Sequence, residues 1–197
     1  MKICIAGWYF HEPLMKILRE SKFDYFVVAH KPWGTKEITG KVVPNVGLEF
    51  GCYNWYLVNE WKDENILFMH DDNDITENAL NEIAKITQDQ CYLFSSKEEA
   101  DVNGQIHGRA FFCSEKFLRR LKADGGFWFD EGNGGKVPPT SSERPDYHNL
   151  AIKVFREYLR SLSKDEFKVG LISIVQGLKN GYRGRVCKRD LIYVAAK

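Results

Sequence analysis

The sequence predicts an α/β fold, a central mixed but mostly parallel sheet flanked by helices and contained in one domain. Three observations lead there. Short apolar runs rich in β-branched and aromatic residues recur along the chain, and stretches of helical periodicity alternate with them. The chain has 197 residues, 44% of them hydrophobic, enough for one sizeable core and little more. Strands alternating with helices favour an open sheet covered on both faces.

The elements follow in order. Lys2–Ala6 is a short apolar run closed by Gly7, and Pro13 then sits where a first helical turn tolerates it, ahead of Leu14, Ile17 and Leu18. Tyr25–Ala29 reads as a second buried strand that stops at His30-Lys-Pro-Trp-Gly34, and Val42-Val43 as a short third. From Phe50, the positions Tyr53, Leu57, Val58 and Trp61 recur at helical spacing, and Asn65–Met69 forms another buried strand. An acidic cluster begins where that strand ends. Thr76 with Glu77 and Asn78 opens a helix carrying Leu80, Ile83 and Ile86, and Cys91–Phe94 and Arg109–Cys113 are two further strands. Ser114 is placed to cap the next helix. Glycine and proline between Gly125 and Pro145 predict a mobile loop. Leu150, Ala151, Val154, Phe155, Tyr158, Leu159 and Leu162 share one face of a late helix, and Ile172–Val175 and Leu191–Ala195 read as late strands.

Composition excludes several function classes. Lysine and arginine (28) balance aspartate and glutamate (27), so no global field holds the protein to nucleic acid or an anionic membrane. The five cysteines, Cys4, Cys52, Cys91, Cys113 and Cys187, are odd in number, widely spaced and mostly inside apolar runs. They read as buried thiols of a reducing compartment, and no pair has zinc-ligand spacing. The N-terminus turns polar by His11, too soon for a signal peptide, and no apolar stretch is long enough to span a bilayer. A cytoplasmic location is the resulting expectation, in the host cytoplasm if the protein is viral.

An open sheet binds its ligand beyond the carboxyl ends of its strands. Three polar loops fall there: Gly7-Trp-Tyr-Phe-His11, His30-Lys-Pro-Trp33 and His70-Asp-Asp-Asn-Asp74. Three carboxylates, Asp71, Asp72 and Asp74, lie within four residues and would repel one another if left alone. A divalent cation relieves that repulsion, and Mg²⁺ or Mn²⁺ commonly bridges one or two protein carboxylates to substrate phosphates. The plainer alternative is a solvated acidic turn capping the helix at Thr76. Trp8 and Tyr9, directly after Gly7, suit stacking on a pyrimidine base while the glycine admits the backbone, although rim aromatics also look like this. His30 and Lys31 end the second strand in reach of a base or a phosphate.

The stretch Ile66-Leu-Phe-Met-His-Asp-Asp-Asn-Asp74 resembles the strand and Asp-X-Asp motif of GT-A fold glycosyltransferases, with Asp72-Asn73-Asp74 as the literal match. Asn45-Val-Gly-Leu-Glu-Phe-Gly51 followed by Asn54 resembles the asparagine and glycine pattern that precedes this strand in family-2 type enzymes. Gly125-Gly-Phe-Trp-Phe-Asp-Glu131 is similar to their Gly-Gly-Phe-Asp-Glu acceptor segment, and Asp146-Tyr-His-Asn-Leu-Ala151 to their Glu-Asp-X-Asp-Leu helix start. The likeness runs from residue 1 to about 160, and the small size is similar to that of the compact GT-A domains encoded by large algal viruses.

The resemblance implies a single GT-A type catalytic domain over 1–197, with a nucleotide-binding half at 1–100 and an acceptor-side half at 101–197. It implies transfer of a sugar from a nucleotide diphosphate, a UDP-sugar first among the candidates, to a glycan or other hydroxyl, with Mn²⁺ or Mg²⁺ on the diphosphate. Asp72 and Asp74 would then contact metal, with Asp71 toward the ribose or sharing the cation, and Gly7, Trp8, Tyr9, His30 and Lys31 would hold the nucleotide. His70 departs from the pattern, standing where an aspartate often begins the motif. For inversion, Asp146 is the candidate base, with Pro145 in place of the motif's glutamate and a helix cap as the plainer explanation, while Asp130 and Glu131 are candidates for acceptor hydroxyls. His148 is a candidate for a further metal or phosphate ligand. Arg109 and the cluster Lys179, Arg183, Arg185, Lys188 and Arg189 are either phosphate clamps or a solvated basic tail, and Gly181-Tyr-Arg-Gly184 is placed to fold over the donor.

Two other functions compete. A sugar-nucleotide nucleotidyltransferase would carry a glycine-rich basic loop after the first strand, which Gly7–His11 lacks. A non-catalytic carbohydrate-binding module would use Trp33, Trp55, Trp61 and Trp128 as sugar platforms, but the apolar context of most of them favours core packing.

Overall fold

The computed structural model describes residues 1–45, 48–87, 91–93, 110–123, 126–127, 167–168 and 182–185; the side chains of 48, 74, 91–93, 167–168 and 182–185 lie outside that description. The strands are β1 (Lys2–Gly7), β2 (Tyr25–Ala29), β3 (Gly40–Val42), β4 (Ile66–His70), β5 (Asn73–Ile75), β6 (Cys91–Leu93), β7 (Ala110–Cys113), β8 (Phe167–Lys168) and β9 (Tyr182–Arg185). The helices are α1 (Glu12–Glu20), α2 (Leu48–Asn59), α3 (Glu77–Ala84) and α4 (Glu115–Ala123). Seven strands form one sheet in the order β3-β2-β1-β4-β7-β6-β8, and β5 pairs with β9 in a separate ribbon. The β1–β2, β1–β4, β2–β3 and β6–β8 pairs are parallel, whereas β7 runs antiparallel to both β4 and β6. The sheet is therefore mixed and mostly parallel, as the alternation of strands and helices predicts.

Strand alternation builds two cores. Cys4, Ala6, Val28, Ile66, Phe68, Phe111 and Cys113 face α2 and α4, where Phe50, Tyr53, Tyr56 and Leu57 meet Phe117, Leu118 and Leu121. Their neighbours Ile3, Ile5, Val27, Ala29, Leu67, Met69 and Phe112 face α1 and α3, which contribute Leu14, Met15, Leu18, Ala79, Leu80 and Ile83. Both faces of β1 and β4 are buried, and this double burial explains why these strands read as unbroken apolar runs.

Local signals set the helix starts. Thr76 Oγ1 accepts the Ala79 N–H at 3.2 Å and Ser114 Oγ the Phe117 N–H at 3.1 Å, the cap bonds expected of these residues. α1 has Pro13 in its first turn, with no side-chain cap at His11. The Gly126 N–H donates to the Leu121 carbonyl in the last turns of α4 at 2.7 Å.

Three expectations are corrected. Val58 is 54% exposed, so the inner face of α2 runs through Tyr56 and Leu57, and Trp61 packs just beyond the helix end. β5 and its partner β9 are not predicted by the sequence, because Asn-Asp-Ile and Tyr-Arg-Gly-Arg carry no apolar run. β8, two residues long, is too short to show one. The late helix expected around 150–162 and the strands at 172–175 and 191–195 lie outside the described residues. Cys4, Cys52 and Cys113 are buried free thiols as expected. Among the described residues no helix is long and apolar enough to cross a membrane.

Candidate functional site

Because β1, β2 and β4 are parallel, their carboxyl ends share one edge, with Gly7 in register with Ala29 and Ala6 with His70. The three loops leaving this edge meet. The Asp71 carboxylate reaches back to the first loop, where its Oδ2 accepts the N–H groups of Trp8 (2.6 Å), Tyr9 (2.6 Å) and Phe10 (2.9 Å). The His30 N–H donates to the Gly7 carbonyl at 3.2 Å, bringing in the second loop. Trp8 lies edge-on to His30 with ring centroids 6.4 Å apart, and the Lys31 ammonium stands 4.6 Å over the Trp8 ring. Tyr9 tilts against His70 at 5.8 Å. Gly7, Trp8, Tyr9, His30, Lys31, Asp71 and Asp72 thus come together as one edge of the molecule.

The acidic residues are desolvated. Asp71 and Asp72 are 0% and 1% exposed, and Asn73 is buried with its side-chain amide donating to the His70 carbonyl at 2.7 Å. His70 Nδ1 lies 2.8 Å from Asp72 Oδ1 and 3.3 Å from Asp71 Oδ1. The short approach to Asp72 puts the proton on Nδ1, so the Asp72 amide nitrogen 3.3 Å from that atom is in contact rather than hydrogen-bonded. Burial opposes charge on His70, but Asp72, then Asp71 and Glu49, outweigh it and push its pKa up to about 9. Burial also raises the Asp71 carboxyl pKa, against the lowering pull of His70 and the three loop amides. His70 occupies the centre of negative charge that a cation would otherwise balance. Asp72 offers the carboxylate oxygen chemistry that a hard divalent ion takes, and in this structure His70 answers its charge.

Gly7 has a structural reason of its own. A Cβ there would meet Trp33 Cζ2 at 2.7 Å and Val27 Cγ1 at 3.0 Å, so the glycine makes room for the Trp33 ring, which is 1% exposed. Trp61 is also buried, its Nε1–H donating to the Glu64 carbonyl at 2.8 Å, and Trp55 stacks on Phe26 at 6.3 Å. Trp33 and Trp61 serve the core and Trp55 is half-buried against it, which removes two of the four sugar platforms that a binding module would need; Trp128 lies outside the described residues.

Three residues to which the sequence gives no role in the site make contacts close to it. Glu49, in the first turn of α2, is only 8% exposed and acts on His70; an acid in a helix's first turn is the one signal that could have marked it. Cys52 Sγ lies 3.2 Å from His30 Nε2, and burial pushes its thiol pKa well up, so the S–H stays protonated beside the ring. Asn54 Oδ1 accepts the Phe127 N–H at 2.8 Å, tying α2 to the start of the glycine-rich segment. Phe127 is fully buried and packs on Phe68 with centroids 5.3 Å apart, two residues before His70.

Asp74 lies on β5, paired with Gly184 of β9, and its side chain is not among those described. That pairing brings the 182–185 segment beside the acidic motif. Asp130, Glu131, Asp146 and His148 lie outside the described residues, as do Arg109, Lys179, Lys188 and Arg189. Among the described residues no group of three or more His, Cys, Asp or Glu is arranged to hold a metal ion.

No protein-family model and no curated protein matches this sequence. Solved structures do match. A glycosyltransferase involved in the glycosylation of the major capsid of PBCV-1 is similar over 100% of this chain and 98% of its own, with 10% identity and a TM-score of 0.55. The apo-form glycosyltransferase GlyE of Streptococcus pneumoniae TIGR4 matches over 62% of this chain at 12% identity and a TM-score of 0.39, and the match spans only 37% of GlyE. The galactosyltransferase LgtC, solved with donor and acceptor sugar analogs, matches over 90% of this chain and 70% of its own, at 10% identity and a TM-score of 0.38. The full-length likeness to the first of these identifies the architecture as the GT-A type, a Rossmann-like mixed sheet in a single domain.

Proposed function

We propose that this chain is a glycosyltransferase that moves a sugar from a nucleotide-diphosphate donor, a UDP-sugar, to a hydroxyl acceptor with inversion. The observation that carries this reading is the convergence of the first, second and acidic loops on one sheet edge, with Asp72 buried at its centre beside His70. The GT-A architecture supports the same reading.

In this reading Asp72 and Asp74 hold Mn²⁺ or Mg²⁺, which when bound neutralises charge growing on the diphosphate leaving group. Trp8 and Tyr9 flank the base, and Lys31, whose ammonium stands over the Trp8 ring, supplies a cation next to it. His30, whose Nε2 lies 3.2 Å from Cys52 Sγ, borders the nucleoside seat through its contact with Trp8. Asp146 takes the acceptor proton, and Asp130 and Glu131 orient the acceptor's hydroxyls. Asn54 fixes where the acceptor-side segment leaves the core, through the Phe127 amide. The acceptor class that fits is a glycan.

Calorimetric titration of UDP, GDP and CMP, with Mn²⁺ and then with excess chelator, tests the reading. Binding of UDP that disappears with chelator supports it. If no nucleotide binds in either condition, the acidic cluster is a helix-capping turn and the reading falls.

A further inference from the structure

Within the acidic cluster, Asp71 is gripped by backbone donors of a loop some sixty residues away. Three consecutive backbone N–H groups, of Trp8, Tyr9 and Phe10, converge on the single oxygen Oδ2 at 2.6, 2.6 and 2.9 Å. Successive amides curled round an anion form a nest, a concavity that in other settings takes a phosphate. Here the occupant is a side chain that is 0% exposed. The loop pays a conformational cost for this geometry: Phe10 has φ 59°, the left-handed region that a bulky L-residue avoids. Phe10 is held there from two sides, by Oδ2 on its amide and by the Trp33 ring 5.1 Å away. The Asp71 N–H itself donates to the Ala6 carbonyl at 3.0 Å, which fixes the backbone from which the carboxylate reaches across.

We infer that Asp71 is a positioning residue that shapes the Trp8–Phe10 loop, and with it the nucleoside seat, and that it is not a ligand of the cation. This rests on the nucleotide-dependent reading above and narrows it. An oxygen carrying three N–H donors presents the positive ends of three dipoles to its surroundings, a poor place for a cation. Its partner Oδ1 accepts no hydrogen bond among the described residues and is fully buried, with His70 Nδ1 at 3.3 Å. The cation is left to Asp72 and Asp74. Trp8 and Tyr9 carry two of the three gripped amides, so Asp71 sets the backbone from which their rings project.

Asp71→Asn and Asp71→Ala separate the two roles. An asparagine oxygen still accepts the loop N–H groups, whereas alanine leaves three donors unanswered. In Asp71→Asn the Mn²⁺ concentration giving half-maximal UDP binding is expected to stay within about threefold of the parent, and UDP affinity within about fivefold. In Asp71→Ala, UDP affinity at saturating Mn²⁺ is expected to fall about tenfold or more. A rise of about tenfold or more in the Mn²⁺ midpoint for Asp71→Asn overturns the inference, because a metal ligand would lose its charge in that variant. Hydrogen exchange of the Tyr9 amide is read alongside and needs no nucleotide: it is expected to be slow in the parent and in Asp71→Asn, and fast in Asp71→Ala. If the parent binds no nucleotide, the functional reading falls while the amide measurement still decides the loop-holding role. If Asp71→Ala does not fold, Asp71→Asn decides alone. Fast Tyr9 exchange in the folded Asp71→Asn overturns the nest.

Discussion

Replacing Gly126 by alanine tests the joint between α2 and the glycine-rich segment. Gly126 has φ +83°, and a Cβ built there would stand 2.1 Å from Asn54 Oδ1. Two costs follow. A non-glycine residue in that backbone region costs about 1–2 kcal/mol. The clash forces the Asn54 amide away, so the buried Phe127 N–H loses its acceptor at 2.8 Å, a further loss of about 1–3 kcal/mol. The expected destabilisation is about 2–5 kcal/mol, a large share of the roughly 5–15 kcal/mol that holds a domain together. Asn54→Ala removes the same acceptor without the strain and is expected to cost about 1–3 kcal/mol. Combining the two removes the clash and loses the hydrogen bond only once. The double variant should therefore cost less than the sum of the singles by about 1–3 kcal/mol. Urea unfolding followed by circular dichroism measures all three. Additive costs, or a loss below about 1 kcal/mol for Gly126→Ala, would refute the reasoning.

The remaining predictions concern the site and its supports. Asp72→Asn and Asp74→Asn should each abolish Mn²⁺-dependent UDP binding by calorimetry, with an unchanged circular dichroism spectrum, since only a ligand role makes binding depend on both charges. In chelator, the His70 pKa of about 9 lies above its unfolded value near 6.5, so its charge stabilises the fold fully below about pH 6.5 and that stabilisation is lost as pH rises through about 9. Melting temperature against pH should fall across that window, and the fall should flatten in His70→Gln. Gly7→Ala, overpacked against Trp33, should cost about 1–3 kcal/mol and regain part of it in combination with Trp33→Phe, by thermal melts. Thr76→Ala should cost about 1 kcal/mol through the lost cap of α3, by the same melts.

The strands most legible in the sequence are those buried on both faces. β2 was bounded correctly and β1 and β4 to within a residue, because double burial writes a continuous apolar run. The meeting of three loops was legible as well, since a parallel sheet sends the carboxyl ends of its strands to one edge. What escaped was everything that depends on partners distant in the chain. That Asp71 would turn back onto the 8–10 amides cannot be read from its neighbours, and its sequence environment equally suits a metal ligand. Gly7 looked like an opening for a ligand because the bulk of Trp33 beneath it is invisible in one dimension. The sequence misplaces the inner face of α2 at Val58 because apolar residues lie on all sides of that helix, leaving little periodicity to separate its faces.

The β5–β9 ribbon also bears on when the site comes into being. Asn73 and Asp74, inside the acidic motif, pair with Arg185 and Gly184, residues encoded near the far end of the sequence given. That pairing joins residues more than a hundred positions apart, whereas β1, β2 and α1 are near neighbours along the chain. A nascent chain can therefore assemble most of its central sheet while the strand carrying Asp74 still waits for its partner. During synthesis the β5–β9 pairing can form only once residue 185 has left the ribosome, so the backbone of the acidic motif gains this partner long after its own residues are made.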